Sequence, residues 1–155
     1  MKTALETVTH TLHSKLQNLV SFLSQITEGF DSISEEIDNI NLRSAMRAIA
    51  VESKQYAREI NNQFHQFNIY FITDPAAQVW QQFEGEINKQ PSMEKGSEIA
   101  ALCSNCEVYF NKLYAEVLQE TMPARNCKDI ISYQLYAINC ALMKIKLLNA
   151  LRFTQ

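Results

Sequence analysis

Along the first forty residues, Leu5, Leu12, Leu19, Ile26, Ile33 and Ile40 recur every seven positions. Leu16, Leu23, Phe30 and Ile37 fill the intervening four-residue step. Apolar residues spaced three and four apart share one face of an α-helix, so this stretch predicts a long helix with one sustained seam. Asp38, Asn39 and Asn41 then crowd together. Their short polar side chains compete for backbone hydrogen bonds, which places the first turn near residues 38–41. The pattern resumes with Leu42, Met46, Ile49, Ser53, Tyr56, Ile60 and Phe64. This predicts a second helix that runs on through His65, Phe67 and Tyr70 to about Thr73, where Asp74-Pro75 stops it.

Between Pro75 and Pro91, Val79, Trp80, Phe83 and Ile87 share a face, the pattern of a short amphipathic crossover helix. After Pro91, Ser92 suits an N-cap and Glu94 the positive end of a helix. A third long helix would carry Ile99, Leu102, Cys106, Tyr109, Leu113 and Val117 inward. A fourth, with Pro123 in its first turn, would bury Ile131, Leu135, Ile138, Leu142, Ile145 and Leu148. No period-two alternation is sustained, so the expected class is all-α, a single helical-bundle domain over residues 1–155.

Composition changes this picture little. With 155 residues the chain can bury a core without disulfides or a structural metal. A net charge of -3 gives no reason to expect nucleic acid or an anionic membrane as partner. There is no run of some 18 or more apolar residues and no signal-peptide pattern at Met1–Lys15, so the expectation is a cytoplasmic protein without an integral membrane segment. In that compartment Cys103, Cys106, Cys127 and Cys140 are expected as reduced thiols.

LRSAMRAIAVESKQYAREI resembles the second helix, and EIAALCSNCEVYFNKLYAEVL the third, of a bacterial ferritin-like four-helix-bundle family catalogued as a domain of unknown function. The resemblance implies an antiparallel bundle with a long crossover, carrying the short helix, between helices two and three. It also raises a dimetal centre, which such bundles build from a Glu on two helices and a Glu-x-x-His step on the other two. Position by position the match is thin. The first helix offers Glu28, off its seam; the second offers Glu52 but Gln55 three residues on; the third offers Glu107; the fourth places Asn139 and Leu142 where the step would fall. Glu52 and Glu107 are therefore the candidate metal residues. No cofactor is expected in the leading reading, and iron under the alternative of iron handling or oxidase chemistry.

Cys103 and Cys106 have CxxC spacing, but a redox CxxC needs a helix N-terminus to depress the thiol pKa, and this one lies mid-helix. Cys127 and Cys140 are thirteen residues apart, which is not a zinc pattern, so packing is the favoured role for all four. His10 and His13 are one turn apart and suit a solvated face better than a cation site, and His65 has no acidic neighbour. No nucleophile, base and orienting group can be named together, which favours a non-enzymatic protein. Aromatic residues cluster from Phe64 to Phe71 and again at Trp80 and Phe83. Phe67, Tyr70, Phe71 and Trp80 are the candidate interface of a homodimer or partner protein, and a small-molecule pocket inside the bundle is a third reading.

Overall fold

The structure, a computed structural model, describes residues 4–71 and 96–151. Four helices account for most of them: α1 (Ala4–Ser34), α2 (Ile40–His65), α3 (Gly96–Leu118) and α4 (Arg125–Leu151). No strand occurs among the described residues. The short helix expected between Pro75 and Pro91, with Val79, Trp80, Phe83 and Ile87, lies outside them, as do the expected caps Ser92 and Glu94.

α1 packs on α2 and α3, and α4 packs on the same two, while the diagonal pairs do not meet. Cross-helix contacts give the directions. Lys15 reaches Glu120 and Phe22 meets Phe110, so α1 and α3 are antiparallel. Asn111 meets Asn139 and Tyr114 meets Gln134, so α3 and α4 are antiparallel. Gln63 approaches Cys127 and Glu59 approaches Gln134, so α2 and α4 are too. With α1 and α2 joined by a short turn, every adjacent pair is antiparallel and the diagonal helices α2 and α3 run in the same sense.

The seams behave as their spacing requires. Leu12, Leu16, Leu19, Leu23, Ile26, Phe30, Ile33 and Ile37 are buried, and so is every member of the α2 series from Leu42 to Phe64, Ser53 included. They join α3 and α4 in one continuous core. Ile40 departs from the seven-residue series: it is the first residue of α2 and is 75% exposed, because the chain has already turned before reaching it. That turn falls slightly earlier than expected, at residues 35–39. Glu36 and Ile37 donate back to Ile33 and Ser34, Asn39 Oδ1 caps α2 by accepting from Leu42 N (3.0 Å), and Arg43 Nε donates to the Ile37 carbonyl (2.7 Å).

α2 stops at His65, well short of Thr73. Asn68 adopts φ 60°, the left-handed conformation that Asn tolerates better than most residues. Around it, Asn68 N donates to His65 O (2.9 Å) and Ile69 N to Phe64 O (3.2 Å), the paired bonds of a Schellman closure. Buried Ile69 supplies its hydrophobic contact. α4 likewise begins at Arg125, so Pro123 precedes the helix instead of sitting in its first turn.

Candidate functional site

Glu52 sits half-buried on α2 beside an open groove of about 340 Å³ that runs between α2 and α4. Ala45, Ala48 and Tyr56 form its α2 wall, and Tyr133, Tyr136 and Lys144 are on the α4 side. Burial pushes the Glu52 carboxyl above its usual range, and Lys144 partly offsets that by attraction. Tyr56 at the groove floor is pushed up to about 12, first by burial and then by the charges of Glu52 and the neighbouring Tyr133 and Glu59. A phenol so displaced stays protonated at neutral pH and does not act as a base.

Glu107 lies elsewhere. It forms an ion pair with Lys146 on the α3–α4 side. Lys144 and Lys146 are two residues apart on α4, and side chains with that spacing do not face each other. Glu52 and Glu107 thus flank α4 from different sides, on diagonal helices whose backbones stay apart, and each has a lysine near it. The other positions tested against a dimetal centre are also committed. Glu28 is exposed, Gln55 donates to Glu59 (3.2 Å), Asn139 exchanges amide hydrogen bonds with Asn111 (3.0 and 3.2 Å), and Leu142 is in the core. Among the described residues no three His, Cys, Asp or Glu side chains gather closely enough to hold a metal ion. The described residues form no dimetal centre, whose carboxylates must converge on the cations.

The cysteines divide sharply. Cys103, Cys106 and Cys127 are buried and Cys140 is exposed, all as free thiols. Burial raises the Cys103 thiol to about 12, with Lys146 opposing and Glu107 adding, and burial likewise raises Cys106, with Cys103 adding. Cys127 is raised by burial against the hydrogen bond from Gln63. A thiol held above its usual pKa is a poor nucleophile. Titration of the folded chain with a maleimide, at protein concentrations too low for self-association, should therefore modify one cysteine quickly, Cys140, and all four only after unfolding; mass spectrometry after tryptic digestion checks the assignment. Rapid native labelling at Cys103 or Cys106 would show that α3 does not hold them inside.

The histidines serve packing. His13 Nε2 lies 2.7 Å from the Tyr70 carbonyl, donating to it, and its ring stacks on Phe71, so it is not free to pair with the exposed His10. His65 meets Tyr70 edge-on. The expected aromatic interface is consequently split. Phe67 and Phe71 pack partly buried against the core, Tyr70 is 56% exposed, and Trp80 lies outside the described residues.

The chain matches no family model, no curated protein and no solved structure. Its function has to be read from its own surface. No described helix is long and apolar enough to cross a membrane. The groove does not open into a chamber among all four helices: its walls come from α2 and α4 alone.

What inspection of the inward seams missed is the opposite face of α4. Tyr133, Tyr136, Met143 and Leu147 are 64%, 71%, 70% and 58% exposed, and Cys140 is exposed among them. From Ile130 to Met143 there is no charged residue at all. The corresponding outer face of α2 carries exposed Arg47, Lys54 and Arg58. A helix apolar on both sides for nearly four turns is the pattern of one that is covered on both sides.

Proposed function

We propose that this chain is a ferritin-like four-helix bundle that works through protein contacts, as a homodimer, and not through dimetal chemistry. The observation that carries the reading is the mostly apolar outer face of α4, uncharged from Ile130 to Met143, a larger apolar surface than the Phe64–Phe71 cluster offers. The ferritin-like part rests on the ring of antiparallel neighbours and on the common direction of α2 and α3, the arrangement that a long crossover between those two helices produces.

Sedimentation equilibrium across a hundredfold range of protein concentration tests the assembly, with a dimer as the expected species. Metal analysis of protein purified from iron-supplemented medium tests the chemistry in parallel. It should give no stoichiometric iron. Stoichiometric iron that is lost in the Glu52→Ala, Glu107→Ala double variant would overturn the non-metal reading, and a monomer at every concentration would overturn the homodimer.

A further inference from the structure

We propose that the outer face of α4 pairs with the same face of a second copy, the two helices antiparallel about a two-fold axis that passes beside Cys140. This rests on the homodimer reading above and adds the surface, the direction and the register.

Tyr133, Tyr136, Cys140, Met143 and Leu147 are separated by steps of three, four, three and four residues. That is the a/d spacing by which one helix lies along another at a shallow angle. The row is about 21 Å long, from the helical rise over fourteen residues. A tyrosine side chain carries roughly 150–250 Å² of surface, so at the exposures found the row offers on the order of 600 Å² per copy. The neighbouring alanine walls of the groove bring the face toward the roughly 800 Å² per partner of a standard two-fold interface. That places the row at the upper end of what monomeric proteins usually leave open in one patch.

Self-complementarity selects a second copy as the occupant. A two-fold axis at Cys140 sets each residue opposite the one equally far on the other side. Tyr133 then meets Leu147, Ala137 meets Met143, and Tyr136 meets Lys144, the first charged residue after the uncharged run. Large residues face smaller ones, and the lone ammonium of the strip lies against an aromatic ring, where a cation–π contact is favourable. Lys144 is also close enough to Glu52 for their charges to interact, so the contact does not bury an uncompensated cation. A parallel pairing would instead stack Lys144 on Lys144 and Tyr136 on Tyr136. Each copy carries one exposed thiol, and this register puts the two beside the axis.

A short bis-maleimide cross-linker applied to the full-length protein tests the geometry, with sedimentation equilibrium reading the assembly separately. The wild type should cross-link to a covalent dimer, and Cys140→Ser should lose at least nine-tenths of that product while sedimenting as a dimer. In the Cys140→Ser background, Ala137→Cys mixed with Met143→Cys should cross-link to each other, whereas Met143→Cys alone should not. Tyr136→Lys with Met143→Lys should weaken the dimer at least a hundredfold while leaving the helical circular dichroism unchanged. A dimer that survives the paired lysines and gives no Cys140 product would overturn this face but leave self-association standing. Cross-linking of Met143→Cys with itself would overturn the antiparallel register. A monomer would overturn both proposals, and a monomer with Cys140 protected from maleimide would assign the cover to residues of the same chain outside those described.

Discussion

Phe22→Ala should destabilise the bundle by about 3–5 kcal/mol, the range for emptying a buried aromatic position. Phe22 is 1% exposed, on the face of α1 toward α3. Its ring meets Phe110 edge-on, with centroids 4.8 Å apart, and Tyr109 at 5.3 Å. Phe110 in turn approaches Tyr114 at 6.3 Å, so the site lies at the head of an aromatic row running along α3. Aromatic pairs add to the area they bury, and rigid rings in a close-packed interior refill a void only partly. The Lys15–Glu120 pair also ties α1 to the end of α3, and its side chains retain 26% and 20% exposure. A partly solvated pair of this kind contributes about 0–1 kcal/mol, so Lys15→Ala should be at least several-fold milder. Urea unfolding at fixed protein concentration, with the slope unchanged between variants, measures both; the concentration is held because a dimer's stability depends on it. Equal costs for the two substitutions would mean that charge, not aromatic packing, joins α1 to α3.

The helices were legible because each inner face repeats at helical spacing, and most residues on those repeats are buried, Tyr109, Leu135 and Leu148 being only partly so. Ser53 shows how far the pattern reaches: it stands on the α2 seam by spacing alone and is 0% exposed. Helix ends were less legible. The apolar series runs on past Phe64 through Phe67 and Tyr70, yet α2 closes where Asn68 enters the left-handed region. A single asparagine among apolar and aromatic residues gives no periodic signal for that. Partners distant in sequence were not legible at all. Lys146 is 39 residues from Glu107, so the ion pair that occupies this carboxylate is a product of the α3–α4 packing.

The outer face of α4 could have been found. An uncharged run from Ile130 to Met143 is visible without any structure. It is overlooked when only the inner positions are sought, since Ile131, Ile138 and Leu142 account for the expected seam and leave nothing apparently missing. The exposed tyrosines become conspicuous only once α2 and α3 are seen to occupy the inner sides of α4.

Gln134→Leu should cost roughly 2–3 kcal/mol, although it exchanges a polar core residue for an apolar one of similar size. Spacing favours Leu135 for the core, but Gln134 is the fully buried one and Leu135 is only partly so. Its amide joins three helices. Oε1 accepts from the Tyr114 hydroxyl on α3 (2.9 Å), and Nε2 donates to the Tyr56 carbonyl (3.2 Å) and Glu59 Oε2 (3.1 Å) on α2. Leucine strands the Tyr114 hydroxyl at 0% exposure, where water cannot replace the lost acceptor. Glu59 suffers less, since it is only half-buried and keeps the hydrogen bond from Gln55. The double variant Gln134→Leu, Tyr114→Phe removes both ends of the stranded bond. Its cost should fall short of the sum of the single variants by about 1 kcal/mol, because the penalty for the unpaired hydroxyl disappears with the hydroxyl. Strict additivity across this cycle would show that the Gln134–Tyr114 bond does not couple α3 to α4, and would leave the cost of Gln134→Leu to its contacts with α2.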